Sequence, residues 1–465
     1  MPRLSPVDQA FFLLETRDRP MSIGLLVVLK PPPGARGSFA DHLVRTMLRC
    51  PPGPPFSYRL QAGTMPGLHA LVEDEHMDPA KQVFRHALPR GARLQDLFDR
   101  LCRIHPKLLR RDAPLWEAHV FTGMPGRRVA VYFKTHHGLI DGVGFINALT
   151  TMVTESPRTH PPRALWEGLR HYVPPAGASR GQHGQSLLQA VNDTRRTAND
   201  MVRLLWHQGL RDLGLGRGLA TPFVSTPNVL KAAPSPHRVL AHTRLPLGRV
   251  RELARRGDAK INDVMLTLID LAMHRYLAAH GIRLDRPLVT DMPVALADHG
   301  GHGNRITILQ VPMGRPGVSP AQRLADIVQE TGQVKQEMRE LDGGALTLYS
   351  ILQHSIASTI ESLGLSGLPM LANAVVSNPA GFEKRLYFNG AEVELALPIS
   401  VVAHHQVLNI TVTTYVDELH VTFIALKEAI PDLQRLAEFT AAAADELDAD
   451  LPHGRRRSAR RATVR

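Results

Sequence analysis

Two imidazoles, a carboxylate and two glycines occur together in the segment His-His-Gly-Leu-Ile-Asp-Gly at residues 136–142. The apolar run at residues 128–135 predicts a strand that ends at this segment. Successive side chains of a strand point to opposite faces, so we expect one of His136 and His137 to face a cleft and the other to pack internally. The same geometry disfavours chelation of one metal ion by both rings.

A neutral histidine can take a proton from a hydroxyl group near neutral pH. If an alcohol attacks a thioester, no covalent enzyme intermediate is needed, and the departing thiolate can recover the proton from the same imidazolium. One histidine in a narrow channel therefore suffices for acyl transfer. The chain contains 23 histidines, and two structural histidines at a strand end explain this segment by itself equally well.

The remaining polar and small residues of the segment suit a tight turn. Gly138 and Gly142 permit close approach of the backbone. Asp141 follows the turn, where its carboxylate can accept hydrogen bonds from the backbone or pair with a nearby arginine. We therefore expect Asp141 to hold the loop.

Other catalytic apparatus is absent from the sequence. The chain has no Gly-x-Ser-x-Gly elbow, which argues against an α/β-hydrolase. It has no Walker loop, since the glycine-rich residues 300–303 lack the following Lys and Ser/Thr. The only cysteines are Cys50 and Cys102, which supply neither a disulfide framework nor a zinc-ligand pair.

Apolar periodicity predicts a mixture of strands and helices in both halves of the chain. The predicted strands are residues 21–30, 128–135, 288–294, 306–312, 374–377, 386–388, 407–415 and 419–425. The predicted helices are residues 38–50, 94–109, 141–153, 186–213, 261–277, 321–338 and 431–447. Because these elements do not alternate regularly, the pattern favours α+β or mixed-sheet α/β domains.

The chain of 465 residues is longer than a domain with a single hydrophobic core usually is. Two large domains of ~200 residues each would account for this length. Composition divides the chain into four blocks: residues 1–155, a Pro-rich connection with an amphipathic helix at 156–237, residues 238–450, and a basic tail at 451–465. We expect the tail to be disordered. The helix within the connection either docks on the domains with its arginines in water or lies in a lipid headgroup region.

The net charge is +12, from 55 Lys and Arg against 43 Asp and Glu. A basic balance suggests an anionic partner such as anionic lipid or a phosphorylated cosubstrate. Aromatic residues make up 5% of the chain and form no stripe with basic residues, which disfavours nucleic acid. The start does not resemble a signal peptide, and no apolar run approaches the ~20 residues of a membrane span. We expect a cytoplasmic protein that visits a membrane surface.

Several segments, in order along the chain, resemble the bacterial wax ester synthase/diacylglycerol acyltransferase family. They are Leu-Ser-Pro-Val-Asp-Gln at the start of residues 4–24, Pro-Leu-Trp at 114–116, the His-His-x-x-x-Asp-Gly segment, Asn-Asp at 262–263, Gly-Asn-Arg at 303–305 and Ser-Asn-Pro-Ala-Gly-Phe at 377–382. The resemblance covers residues 4–447. The histidine motif alone is shared with other coenzyme A-dependent acyltransferases and with condensation domains. The last segment departs from the family's Ser-Asn-Val-Pro-Gly-Pro.

The resemblance implies two chloramphenicol-acetyltransferase-like domains with the active site in a tunnel between them. It makes His137 the general base and His136 a supporting residue. It gives Asp141 a structural role, Gly142 a role in the turn, and Asn262 a place near the active site from the second half. We expect Pro-Leu-Trp to form a packed corner.

The implied function is transfer of a fatty acyl group from acyl-CoA to diacylglycerol, with long-chain fatty alcohols as further acceptors that give wax esters. Acyl-CoA is then a co-substrate, and neither a cofactor nor a metal is expected. The expected partners also include a membrane or lipid-droplet surface. Two alternatives stay open: acyl transfer to another alcohol or amine, and a catalytically silent lipid-binding or lipid-droplet surface protein. The intact histidine motif argues against silence.

Overall fold

The computed structural model describes residues 4–452 except 33, 35–37, 63–68, 141, 159–160, 171–186, 216–218, 224–225, 228, 296–305, 342, 365–369 and 380. The helices in this part of the chain are α1 (Pro6–Leu14), α2 (Phe39–Met47), α3 (Leu94–Ile104), α4 (Gly142–Thr150), α5 (Leu187–Asp212), α6 (Leu247–Arg256), α7 (Ile261–Ala279), α8 (Pro320–Glu340), α9 (Gly343–Ser362) and α10 (Leu433–Asp450). The strands are β1 (Ser22–Lys30), β2 (Tyr58–Ala62), β3 (His69–Glu73), β4 (Val83–Ala87), β5 (Trp116–Thr122), β6 (Val129–His136), β7 (Arg238–Pro246), β8 (Val289–Ala295), β9 (Ile306–Pro312), β10 (Ala374–Ser377), β11 (Tyr387–Phe388), β12 (Ala391–Ile399), β13 (Leu408–Tyr415) and β14 (Glu418–Leu426).

Two six-stranded sheets organise these elements. The N-terminal sheet has the strand order β11-β12-β1-β6-β5-β4, and the C-terminal sheet has the order β7-β14-β13-β10-β8-β9. Most neighbours are antiparallel, but β4 pairs with β5, and β10 with both β8 and β13, in parallel. The predicted mixed-sheet α/β fold is therefore confirmed.

The N-terminal sheet is completed by a strand from late in the chain. Strand β1 pairs with β6 on one side and with β12 on the other, with Gly24 opposite Ile399. All residues of β1 except Lys30 are buried, so both edges of this strand need a partner. The block predicted at residues 238–450 thus supplies β11 and β12 to the sheet of the first block, and the blocks do not coincide with the sheets.

One apolar core extends across both sheets. Helix α3 buries Leu97, Phe98 and Leu101 in a cluster that also contains Leu240 of β7 and Val264 of α7. Burial of such side chains contributes roughly 1.5–3 kcal/mol each. The two halves are therefore joined by a continuous hydrophobic interface.

Helix α1 precedes β1 in the chain, and its first turn is stabilised by capping hydrogen bonds. Ser5 accepts a hydrogen bond from the backbone N–H of Asp8, and the Asp8 carboxylate accepts one from the N–H of Ser5. Pro6 occupies the first turn, where its missing N–H has no cost. This short helix was not predicted, although it places two phenylalanines on the histidine segment.

Helix α5 docks on the C-terminal half through α8 and α9. Leu204 is buried in a cluster with Val334 and Leu346, and Arg203 and Arg211 form ion pairs with Glu340 and Glu330 of α8. Docking, one of the two alternatives for this helix, is thus observed for residues 196–212. Several apolar side chains of the helix nevertheless face outward.

Candidate active site

A cavity of about 430 Å³ lies where the two sheets approach each other. Its walls come from α1, β1, α4 and β12 on one side and from α9, β10 and β13 on the other. Most of the lining side chains are apolar, and histidine, serine, threonine, asparagine and glutamine side chains lie among them. This combination is typical of a ligand site in which apolar walls hold a hydrocarbon portion and polar groups fix its orientation.

The two histidines at the end of β6 face different surroundings, as strand alternation predicts. His137 lines the cavity, whereas His136 is 1% exposed and does not. Adjacent residues of α1 cover them: Phe11 stacks on His137 with ring centroids 4.1 Å apart, and Phe12 stacks on His136 at 4.2 Å. The backbone N–H of His137 donates to Met21 O at 2.8 Å, which joins the turn to β1.

His136 is fixed by contacts on both ring nitrogens. Its Nδ1 accepts a hydrogen bond from the N–H of Gly138 at 3.1 Å, which leaves the proton on Nε2. That nitrogen lies 3.4 Å from Oε1 of Glu15. Glu15 also accepts from the N–H of Met21 at 3.0 Å and pairs with Arg111 at 3.3 Å. The His136 ring is therefore held by Gly138 of the turn after β6 and by Glu15 at the end of α1.

The charge of Glu15 is stabilised by these partners. Burial would raise the pKa of Glu15, but the hydrogen bond and charge interaction with His136, aided by Met21 and Arg111, lower it. Sequence reasoning did not identify Glu15 or Arg111. The signal that could have found Glu15 is its place in the family-like segment at residues 4–24.

His137 is held in its neutral form. Burial lowers the pKa of His137 to about 4, and this effect outweighs the hydrogen bond to its own backbone, which raises it. The nearby His136 contributes to this lowering. At neutral pH the imidazole is therefore unprotonated and able to accept a proton from a hydroxyl in the cavity.

Gly138 permits close packing of α1 on the histidine turn. A Cβ at this position would lie 2.7 Å from the Phe12 ring and 3.0 Å from Asp8 O. Gly142 is the first residue of α4. Asp141 lies outside the described residues, so its structural role stays a prediction, as does the role of Gly142.

Asn262 does not line the cavity itself but contacts a residue that does. It lies in the first turn of α7, where its Oδ1 accepts from Nδ2 of Asn378 at 3.4 Å and its Nδ2 approaches Met292 Sδ at 3.8 Å. Asn378 lines the cavity, and Asn262 contacts the site through it. The divergent segment at residues 377–382 thus contributes Ser377, Asn378 and Pro379 to the wall, while Ala380 lies outside the described residues.

The Pro-Leu-Trp segment forms the expected packed corner. Leu115 and Trp116 are each 1% exposed. The indole N–H of Trp116 donates to Phe56 O at 2.9 Å, and its ring stacks on Trp166. The carbonyl of Leu115 accepts from the N–H of His136 at 3.0 Å, so the corner supports the histidine strand without lining the cavity.

A buried ion pair connects α9 to the segment after α1. The guanidinium of Arg19 donates to both carboxylate oxygens of Glu361, at 2.8 and 2.6 Å, and to Gln406 O at 2.9 Å. Burial would raise the pKa of Glu361, but His404 and Arg19 lower it to about 2. The pair joins two of the elements that enclose the cavity.

Comparison with known proteins identifies the family. The model of the wax ester synthase/diacylglycerol acyltransferase catalytic domain matches residues 4–265, and that of the family's C-terminal domain matches residues 302–448. A probable diacylglycerol O-acyltransferase of Mycobacterium tuberculosis is 30% identical over 97% of both chains. The O-acyltransferase WSD of Acinetobacter baylyi is 30% identical over 93% of this chain and 94% of its own. The chain belongs to the wax ester synthase/diacylglycerol acyltransferase family, and the prediction of an acyltransferase is confirmed.

Solved structures agree with this fold. The wax ester synthase/diacylglycerol acyltransferase from Marinobacter aquaeolei VT8 superposes with a TM-score of 0.72 at 24% identity, covering 97% of this chain and 100% of that one. The first condensation domain of the CDA synthetase superposes with a TM-score of 0.56 at 17% identity, over 97% and 98%. The predicted two-domain acyltransferase architecture is confirmed, and passage of a tunnel through it stays a prediction.

Two further features bear on expected partners. Among the described residues, no group of three or more His, Cys, Asp or Glu side chains is arranged to hold a metal ion. In the same part of the chain, none of the helices combines the length and apolar content needed to cross a bilayer.

Proposed function

We propose that this chain transfers a fatty acyl group from acyl-CoA to the free hydroxyl of diacylglycerol, and that long-chain fatty alcohols serve as second acceptors. The observation that supports this most is the placement of His137, a neutral imidazole on the wall of a largely apolar cavity. Such a cavity accommodates hydrocarbon chains beside a proton acceptor. The relatives named as diacylglycerol O-acyltransferases and as an O-acyltransferase support the same reaction.

In the proposed mechanism, His137 takes the proton from the acceptor hydroxyl while the oxygen of that hydroxyl attacks the carbonyl carbon of the thioester. The tetrahedral intermediate then collapses, the carbon–sulfur bond breaks, and the coenzyme A thiolate recovers the proton from the imidazolium. The ester and free coenzyme A leave, and His137 is neutral again. No residue of the chain is acylated.

The remaining residues have supporting roles in this proposal. His136 holds the end of β6 through Gly138 and Glu15, and so orients its neighbour. Asp141 and Gly142 shape the loop that follows, and Asn262 braces the cavity wall through Asn378. Acyl-CoA acts as a co-substrate, and no cofactor or metal takes part.

The test is release of free thiol from palmitoyl-CoA with and without a panel of acceptors: dioleoylglycerol, hexadecanol, a sugar alcohol and a long-chain amine. We expect thiol release to depend on dioleoylglycerol and hexadecanol. Activity with only the sugar or the amine would support the alternative acceptors. No release with any acceptor, in a protein that still binds lipid, would support the silent lipid-binding alternative.

We also propose that the protein associates with a membrane or lipid-droplet surface through α5 and α9. Exposed large apolar side chains concentrate on these two helices and the turn after α5: Val202, Leu205, Trp206, Leu213, Leu215, Leu348, Leu352 and Ile356. Residues 343–360 include no Asp, Glu, Lys or Arg, which is unusual for a helix with an exposed face. The other face of α9 lines the cavity, so lipid at this surface would lie beside the site.

Vesicle co-sedimentation tests this surface. Leu352→Ser with Ile356→Ser should weaken binding to vesicles of phosphatidylcholine and phosphatidylglycerol. Phe84→Ser with Leu108→Ser, which changes exposed apolar residues elsewhere, is the matched control. A deletion after Gly454 measures the contribution of the basic tail, expected to be ~1 kcal/mol per charge near the surface. Undiminished binding of the α9 variant would exclude α9 from this surface.

A further inference from the structure

A second histidine projects into the cavity from the C-terminal half. His354 lies on α9 and lines the cavity that contains His137. Its Nδ1 donates to Ser350 O at 2.8 Å, so Nδ1 carries a proton. Its Nε2 is buried and has no hydrogen-bond partner, and it lies 3.6 Å from Oδ2 of Asp291.

Asp291 lies beside His354, and its two carboxylate oxygens also accept hydrogen bonds from glutamine side chains. It is 0% exposed and accepts hydrogen bonds from Nε2 of Gln310 at 2.7 Å and Nε2 of Gln406 at 2.9 Å. A buried carboxylate beside an imidazole favours the doubly protonated ring. Burial lowers the pKa of His354, but Asp291 and the Ser350 carbonyl raise it more strongly, so the net shift is upward.

In the third histidine of the cavity wall, His404, both ring nitrogens already have acceptors nearby. His404 also lines the cavity, but one ring nitrogen lies 2.7 Å from Leu14 O and the other 2.9 Å from Glu361. His137 is occupied by the proposed proton transfer. His354 is therefore a cavity-lining histidine with a buried Nε2 that has no hydrogen-bond partner.

We propose that His354, supported by Asp291, is a specificity residue that donates a hydrogen bond to an ester carbonyl of a glycerolipid acceptor. This inference rests on the proposed function. Diacylglycerol presents one hydroxyl, which His137 needs, and two ester carbonyls, which are acceptors within a few bonds of it. A fatty alcohol has only the hydroxyl, and it leaves the His354 donor without a partner. Sites with a buried polar group left unpaired discriminate against the ligand that lacks its complement.

The experiment compares two acceptors in the same enzyme at saturating palmitoyl-CoA. His354→Leu combined with Asp291→Asn removes the donor and the charge together, which avoids a buried unpaired carboxylate. We expect kcat/KM for dioleoylglycerol to fall roughly tenfold or more, since a lost hydrogen bond leaves the ester carbonyl unpaired in a buried site, while kcat/KM for hexadecanol changes by less than about threefold, which corresponds to less than ~0.7 kcal/mol. His354→Gln keeps a donor and should recover part of the preference.

His280 provides a matched control. Its Nδ1 also contacts the carbonyl four residues earlier, Tyr276 O, at 2.8 Å, and its Nε2 also lies 3.6 Å from a carboxylate, that of Asp432. His280 is not among the residues that line the cavity. His280→Leu should leave the acceptor ratio unchanged.

Other outcomes would overturn the assignment. An equal fall with both acceptors would mean a structural role, and an increased KM for palmitoyl-CoA would mean that His354 contacts the coenzyme A thioester portion instead. An unchanged ratio would also reject it. Wild-type protein with no acceptor-dependent thiol release would reject the proposed function itself, before any variant is measured.

Discussion

His137 is the residue on which the proposed chemistry depends. We expect His137→Ala to lower kcat/KM by about 10²–10⁴, the usual contribution of a positioned general base, with the melting temperature nearly unchanged. His42, exposed on α2, supplies the control substitution His42→Ala. Thiol release and thermal unfolding together make the measurement, and a folded His137→Ala protein with wild-type turnover would refute the mechanism.

Glu15 should affect both stability and rate. Its carboxylate accepts from Met21 and faces His136 and Arg111, so Glu15→Ala leaves buried donors without acceptors. We expect a loss of about 1–3 kcal/mol in the free energy of unfolding and a reduced kcat, because the end of β6 loses its support. Glu73→Ala, at an exposed strand end, is the control. Denaturant unfolding that shows no difference between the two variants would remove Glu15 from this role.

At the scale of elements, the packing of α1 on the histidine turn requires a glycine. The Cβ of Gly138→Ala would press against Phe12 and the Asp8 carbonyl, and so displace α1. Because Phe11 of the same helix stacks on His137, we expect a lower melting temperature and lower activity together. Gly209→Ala, where nothing lies within 4 Å of the new Cβ, should be neutral or slightly stabilising in a helix. Equal melting temperatures for both variants would contradict the proposed packing.

The sequence predicted the elements that have strong local patterns. The strand before the histidines, the strand at Ile306–Pro312 and the helix beginning at Ile261 are apolar runs or periodic segments with clear ends. Helix α9 was missed because a stretch without charged residues shows little amphipathic contrast. Strand β12 was missed because glutamates alternate in it, and its partner β1 is distant in the chain.

The candidate site was predictable only where its residues are contiguous. His136, His137 and the turn were identified because one short segment carries them. Glu15 meets His136 across 121 positions, and His354 meets Asp291 across two elements, so no local spacing indicates either pair. Asn262 was placed near the site by family resemblance, and its contact with Asn378 depends on how α7 approaches β10.

At the scale of the molecule, buried neutral histidines make stability depend on pH. Burial, and after it nearby histidine, arginine and lysine side chains, lower the pKa of His86 to about 4 and those of His105 and His242 to about 3. These groups bind protons in the unfolded chain near pH 6.5 but not in the fold. The stability of the fold is therefore unaffected by these groups above pH 6.5 and declines as the pH falls below it, down to about pH 4 for His86 and about pH 3 for His105 and His242.

This predicts that the midpoint of urea unfolding drops between pH 7.5 and pH 5.5. For the buried His105 alone, the loss at pH 5.5 is about 1.4 kcal/mol. His105→Gln should be less stable than wild type at pH 7.5 but show a shallower decline. A parallel decline in both proteins would assign the pH dependence to other groups.

The late strand in the N-terminal sheet has a consequence for biosynthesis. Strand β1 leaves the ribosome about 370 residues before β12, its partner on one edge. At the usual rate of protein synthesis, roughly 5–20 residues per second, this edge of β1 has no partner strand for on the order of 20–75 seconds. During this interval an almost wholly apolar strand presents unpaired backbone groups, the condition under which nascent chains pair with one another. The yield of this protein in cells should therefore depend more on translation speed and on chaperones that cover β1 than on the stability of the finished fold.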